Sequence, residues 1–455
     1  MDTQVLIVGA GPTGLVLACD LARRGVPFRI IEKAPAFFTG SRGKGLQPRT
    51  LEVLDDLGVI DTVLAEAAEY PPIRRYADGS VIWEGRMHEP EEPTPEVPYP
   101  DILMLPQART EQLLRDRLAE LGGTVELGVE LTGFEQDETG VTAILSTGPV
   151  RAAYLVGADG GRSTVRKRLG VGFEGETYET ERMLVGDVRV DGLDRDHWHA
   201  WAKPDESWVA LCPLPGTDAF QFVAPVDADT EPALTLATVE SLVDKPELRL
   251  HDLTWLSLYR PNIRMVDRFR VGRVFLAGDA AHVHSPAGGQ GLNTGIQDAY
   301  NLGWKLALGG DPLLDTYEEE RLPVAADVLG LSTRLHNSRS QRRGSETQQL
   351  GITYRGASLA AEPWDGPLQP GDRAPDGPLP GGTRLFDAFR GPHSTLLATT
   401  DISLPHNDMV HVHRVGDAYG ATFALVRPDG YLAVLSEDSE RITRYLTTVL
   451  SGQMA

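Results

Sequence analysis

The opening of the chain constrains it most. Residues Gln4–Gly9 (QVLIVG) are an apolar run that leads straight into Gly9-Ala10-Gly11-Pro12-Thr13-Gly14. A short unbroken apolar run reads as a parallel strand buried on both faces. From Pro12 to Arg24 the apolar residues recur at helical spacing, and Gly25 supplies a stop. Phe28–Glu32 (FRIIE) is a second buried strand. A strand–helix–strand unit of this kind implies a right-handed parallel crossover. The glycines permit a tight turn and let a pyrophosphate approach the backbone N–H groups at the helix start. Glu32 ends the second strand, where a carboxylate can accept from a ribose hydroxyl and would repel a ribose phosphate. The pattern predicts a dinucleotide site suited to FAD or NAD.

A chain of 455 residues exceeds the roughly 250–300 at which single cores stop growing, so at least two domains are expected. The formal net charge of -22 argues against a nucleic-acid partner, which needs a basic surface. Cys19 and Cys212, the two cysteines, read as small buried hydrophobes. No apolar run is long enough to span a bilayer, and no leader precedes the first strand. A cytoplasmic location with no membrane partner is the expectation.

Farther along, Arg109–Leu121 reads as an amphipathic helix, Val125–Leu127 as a strand, and Tyr154–Ala158 as another apolar strand. From Met183 to Pro225, short strand-like runs carrying Trp198, Trp201 and Trp208 alternate with turn residues. They predict an antiparallel sheet inserted between pieces of a parallel one. His88–Pro100 (HEPEEPTPEVPYP) reads as an exposed loop, and the Pro- and Gly-rich Glu362–Gly382 as a linker.

Two later motifs carry chemistry. Gly157-Ala158-Asp159-Gly160-Gly161-Arg162-Ser163 follows a strand. It places Asp159 at a carboxyl end, where parallel sheets bind ligands, and Ser163 at the cap of a helix carrying Arg166. Val274–Asn293 (VFLAGDAAHVHSPAGGQGLN) is a buried strand ending in Gly278-Asp279, then a loop into a helix that starts near Asn293. An Asp there can accept from a ribityl hydroxyl, and the positive helix end would favour an anionic reduced flavin. His282 and His284 have the wrong spacing for two ligands on one helix face, and no acidic partner is near. They predict loop packing and no metal.

These three motifs, in this order, resemble the class A flavoprotein monooxygenases, the para-hydroxybenzoate hydroxylase family. Within it the aromatic polyketide hydroxylases look nearest. The resemblance covers about residues 1–345. It implies an α/β fold, with a Rossmann-like FAD-binding domain from 1–75, 102–180 and 262–345. A substrate domain from 76–101 and 181–261 would hold the inserted sheet. Residues 346–382 would be a helix end and linker, and 383–455 a small thioredoxin-like domain, signalled by GDRAP, LFD and LVRPDGY. That tail holds no cysteine, so dithiol chemistry is excluded there.

The resemblance further implies which residues hold FAD. They are Gly9, Gly11, Pro12, Thr13, Gly14, Glu32 and Lys33; Arg42 in SRGKG; Gln107 and Arg109 in LPQARTEQLL; and the backbone at Val129. Asp159, Gly278, Asp279, Pro286, Gly289, Gly291, Leu292 and Asn293 complete the set. The expected reductant is NADPH, bound without a second dinucleotide fingerprint. The expected reaction is hydroxylation of an aromatic, polyketide-type phenol by O2 through a flavin C4a-hydroperoxide. Baeyer–Villiger oxygenation on the same scaffold is the alternative, and an FAD-binding protein without catalysis is a third. Trp201, Phe222 and Pro286 are candidate walls of the substrate pocket. No catalytic base is identifiable, and the chain is expected to be a monomer or homodimer.

Overall fold

The computed structural model describes residues 1–178, 180–204, 207–229, 231–338, 343–379, 381–402, 404 and 408–450. Its first sheet has β1 (Thr3–Val8) at the centre, between strand Gly148–Gly157 and β2 (Phe28–Glu32). Val274–Leu276 joins beyond one neighbour and Val125–Leu127 beyond the other, all parallel. The hairpin Leu131–Asp137 and Gly140–Leu145 extends this sheet antiparallel. The first crossover is α1 (Pro12–Arg23), whose Leu15–Leu21 segment is fully buried. Helices α2 (Pro48–Asp56), α3 (Ile60–Glu66) and α4 (Gln107–Glu120) follow. The short α5 (Thr164–Leu169) begins at Ser163, whose Oγ accepts from Arg166 N at 2.9 Å.

The second sheet has seven strands, in the order Arg249–Tyr259, Arg182–Asp191, Ala219–Val226, Trp208–Pro213, Trp198–Ala202, Ile73–Ala77, Ser80–Gly85. It is antiparallel except where Trp198–Ala202 meets Ile73–Ala77. One face packs Leu184, Val188, Phe220 and Phe222 against Val239 and Val243 of α6 (Leu236–Val243). The other face turns toward the first sheet. The chain then returns through Val274–Leu276 to two long helices, α7 (Gly291–Leu308) and α8 (Asp311–Ser338).

A four-stranded sheet closes the chain, in the order Val410–Arg414, Ser394–Ala398, Phe423–Val426, Leu432–Ser436. The described residues of 346–382 are no loose tether and no continuation of α8. Arg373 Nε reaches Glu52 of α2 at 2.9 Å, and Asp372 receives both arms of Arg355 at 2.6 Å. Their Pro/Gly richness reflects tight turns docked on the body. Both cysteines are free and buried, and burial pushes the Cys19 thiol up to about 12. Among the described residues no helix is long and apolar enough to cross a membrane.

Candidate functional site

The glycine turn is built from close approaches. Gly9 has φ +106°, and a Cβ there would lie 2.3 Å from the Ala158 carbonyl oxygen. A Cβ on Gly14 would lie 2.0 Å from the Gly9 carbonyl oxygen. Gly11 differs: nothing stands within 4 Å of where its Cβ would be. The open side of the turn is therefore at Gly11, the N-cap of α1, and no side chain caps that helix. Its first N–H groups are free to bind an anion. Glu32 lies beside the turn. Its Oε2 accepts from Ala10 N at 3.1 Å and its Oε1 from Ala34 N at 2.9 Å, which leaves further lone pairs for a sugar hydroxyl. Lys33 is exposed next to it.

A second uncapped helix start faces the same cleft. Gly278 adopts φ +59° and packs on Thr13, so Thr13 spends its side chain on the crossing of α1 with α7. Asp279 follows, with Oδ1 4.0 Å from where a Gly291 Cβ would be, so it borders the start of α7. No side chain caps α7. Asp279 reaches solvent through the cleft, yet protein encloses it closely enough to raise its carboxyl above the usual range, against His282, Arg42 and Arg166. Gln107 Oε1 accepts from Gly43 N at 3.0 Å, and Gln107 Nε2 donates to Glu111 at 2.8 Å. Burial pushes Glu111 up to about 7, with Glu32 adding to the rise and Arg42 opposing it. Charges on Arg42, Asp279, Glu32 and Glu111 thus share one space. Exposed Arg42 stacks 5.4 Å from Phe38 and 5.8 Å from Trp255.

Several residues singled out in the sequence sit elsewhere. Arg109 is two positions beyond Gln107, on the opposite side of α4, and its guanidinium forks onto Glu66 of α3. Asp159 caps α5, accepting from Ser163 Oγ at 2.5 Å and Thr164 N at 2.6 Å. Asn293 is fully buried and ties Gly45, Gln47 and Gly289 together, leaving only its backbone for a ligand. Val129 spends its N–H on the Glu32 carbonyl. Pro286 is exposed at the entry of the Ala287–Gly289 turn, Gly289 has φ +64°, and half-buried Leu292 packs on Gly43. Trp201 and Phe222 belong to the core beneath α6, on the far face of the second sheet.

The histidines do have an acidic partner. His282 Nε2 donates to Asp298 of α7 at 2.7 Å, and its Nδ1 meets His284 Nε2 at 2.9 Å. Asp298 also takes Arg321 Nε at 2.7 Å. Burial holds His284 neutral. The partner is distant in sequence, so spacing alone could not reveal it.

Sequence reasoning missed the near face of the second sheet. Asp187 accepts from Ser41 N at 2.7 Å and Ser41 Oγ at 2.5 Å, and Gln221 donates to the Ser41 carbonyl at 2.8 Å. The Ser41–Lys44 loop is thereby pinned to the sheet. Trp255 pairs with Asp187 and Tyr259 with Met183, which places both rings on that same face. Parity in these strands was the available signal.

Two other features compete for attention. A cavity of about 710 Å³, walled by Arg189, Arg195, Met104 and Asp218, lies outside the glycine-lined cleft. Asp194, His197 and His199 bring three ligand atoms within 4.8 Å of one another. There Arg74 Nη2 lies 2.7 Å from His197 Nε2, so a guanidinium already takes the cation's place.

A family model described as an FAD binding domain matches residues 2–332. The chain belongs to that family. It is 51% identical to a flavin-dependent monooxygenase of Mycobacteroides abscessus, over 98% of this chain and 100% of the relative. It is 34% identical to a rifampicin monooxygenase of Streptomyces venezuelae, over 96% of this chain and 97% of the relative. Among solved structures, aklavinone-11 hydroxylase in complex with FAD and aklavinone superposes with a TM-score of 0.81 at 29% identity, covering 99% of both chains. The protein is therefore a flavin-dependent monooxygenase, and FAD is its cofactor. The open Gly11 turn, two uncapped helix starts and the flanking carboxylates fit that group.

Proposed function

We propose that this monooxygenase hydroxylates a planar, phenolic, polyketide-type small molecule, using NADPH as reductant. The observation that carries the reading is the common cleft: two uncapped helix starts, Glu32 and Asp279 meet there opposite the near face of the second sheet. The names of the rifampicin and aklavinone enzymes support the substrate class. In this reading residues 1–75, 102–180 and 262–345 hold FAD. Residues 76–101 and 181–261 cover the substrate, and 383–455 form a thioredoxin-like buttress.

Bound FAD supplies hydride acceptance and oxygen activation. The N–H groups at the start of α1 would take the pyrophosphate, Glu32 a ribose hydroxyl, and Asp279 a ribityl hydroxyl. The start of α7, through Gly291 and Leu292, would offer its positive end to the flavin. Arg42 would help hold the flavin, and the sheet would keep water from the pocket.

Turnover under isotopically labelled O2, with mass analysis of the product, tests the reaction. One labelled oxygen on an intact ring is expected, with NADPH consumed much faster when the phenol is present. Label only from water would overturn the reading. Label in a ring-expanded lactone would assign Baeyer–Villiger chemistry instead.

Glu111 gives a pH prediction. Its folded carboxyl lies near 7, above the usual ~4.3, so the folded chain holds more protons than the unfolded one between these values. Stability is therefore shed as pH rises through that window. An anionic cofactor nearby raises this carboxyl further, so FAD affinity should fall above pH 7, by up to about tenfold per pH unit. Glu111→Gln should flatten the profile in FAD titrations. A parent protein with constant affinity from pH 6 to 8 would separate Glu111 from the cofactor.

A further inference from the structure

Two cations beside the cleft, buried Lys44 and half-buried Arg343, each carry a buried nitrogen with no hydrogen-bond acceptor. Lys44 is 8% exposed, and its Nζ is buried without a hydrogen-bond partner. It lies 4.4 Å from the centroid of Trp198. Arg343 Nη1 is also buried without a partner, and its guanidinium carbon lies 5.5 Å from the centroid of Tyr70. The two rings adjoin, with centroids 6.2 Å apart. Arg343 Nη1 comes 3.7 Å from where a Gly289 Cβ would be, so it reaches the turn that starts α7. Among the described residues, no carboxylate forms an ion pair with either cation, and Asp187 is already engaged by Ser41.

Burying a cation without an acceptor is costly, and an aromatic face returns only part of that cost. In a chain of net charge -22 carboxylates are abundant, yet Asp187, whose charge acts on Lys44 from a distance, spends both oxygens on Ser41 and leaves the ammonium without a direct partner. We propose that Lys44 and Arg343 are specificity-determining residues that hold an ionised oxygen, a phenolate or enolate, of the planar substrate. Trp198 and Tyr70 supply flat apolar contact for its rings. This rests on the substrate class given above and adds to it that the bound ring is an anion. An ionised ring is also the more electron-rich one at the carbon that receives oxygen.

The test uses the FAD-loaded protein, alizarin as an ionisable probe, and its dimethyl ether as the neutral one. Each is titrated against the flavin absorbance above and below the phenol pKa. The parent should bind the alizarin anion about tenfold or more tighter than the ether, as one charge-assisted contact implies. Lys44→Met and Arg343→Gln should each erase most of that preference while leaving ether binding within about twofold. Lys44→Met should also raise the thermal midpoint of the ligand-free holoprotein, because it removes a desolvated charge. Equal losses on both probes, an unchanged preference, or a lowered midpoint would overturn the proposal. A parent that binds both probes equally overturns it alone. A parent that binds neither overturns the phenolic substrate class with it.

Discussion

Gly14→Ala is expected to leave little folded protein, whereas Gly11→Ala should fold normally and bind FAD more weakly. The contrast comes from two glycines in one turn. At Gly14 a Cβ would sit 2.0 Å from the Gly9 carbonyl oxygen, a backbone atom of the turn that ends β1. Relief requires lifting α1 from a fully buried position. Overpacking of flexible side chains costs typically 1–3 kcal/mol, and a backbone clash at this distance costs about 3 kcal/mol or more. At Gly11 the backbone is extended (φ -74°, ψ -176°) and the Cβ meets nothing within 4 Å. Its methyl group would project where an anion must approach the N–H groups of α1. Losing one such charge-assisted hydrogen bond costs about 1.5–3 kcal/mol, so FAD should bind at least about tenfold more weakly. Soluble yield and circular dichroism report the first effect, and the ratio of flavin to protein absorbance reports the second. Gly11→Ala protein that retains FAD with parent affinity would remove the turn from the cofactor site.

That contrast also marks what the sequence could carry. The fingerprint glycines, Glu32 and the Gly278-Asp279 strand end are local patterns, because turn geometry and helix starts are set by a few consecutive residues. Strand Phe28–Glu32 and the position of Asp279 beside Gly291 follow from them. What stayed hidden depends on facing. Trp201 and Phe222 look like pocket walls in a one-dimensional string, but their strand parity turns them toward α6. Asp187 and Gln221 face the cleft instead. Arg109 is close to Gln107 in sequence and across the helix from it in space. Asp298 joins His282 only because α7 folds back over the strand end. Pairings at such separations are products of the whole core, and no local rule yields them.

Arg427 anchors the most deeply buried of the ionic networks that dock the last sheet, and Arg427→Met should be the most damaging single change outside the cleft. Arg427 is 3% exposed, and its two arms bond Glu320 of α8 at 2.5 and 2.9 Å. It also bonds Asp429 at 2.9 and 2.5 Å. Lys305 of α7 reaches Glu320 at 2.7 Å, and Asn301 bridges Glu320 and Asp429. Burial alone would raise the Glu320 carboxyl, but Arg427 and Lys305 hold it well below the usual range. Its stabilising contribution is therefore present above about pH 4.3 and lost as pH falls. Methionine would fill the volume but leave two buried carboxylates facing one ammonium. Breaking a buried ionic network in this way costs about 3–5 kcal/mol. The holoprotein should unfold at markedly lower urea, and the last sheet should become the first target of limited proteolysis. Arg427→Lys keeps the charge without the two-armed fork and should fall between. The cofactor groups named here lie at strand ends of the first sheet, at the start of α1, in the Ser41–Lys44 loop and at the start of α7, and this last is more than two helical turns from Asn301. Protein of the variant that remains folded should therefore bind FAD as the parent does. A drop in FAD affinity with the fold intact would show that α7 carries strain from the buttress to the flavin.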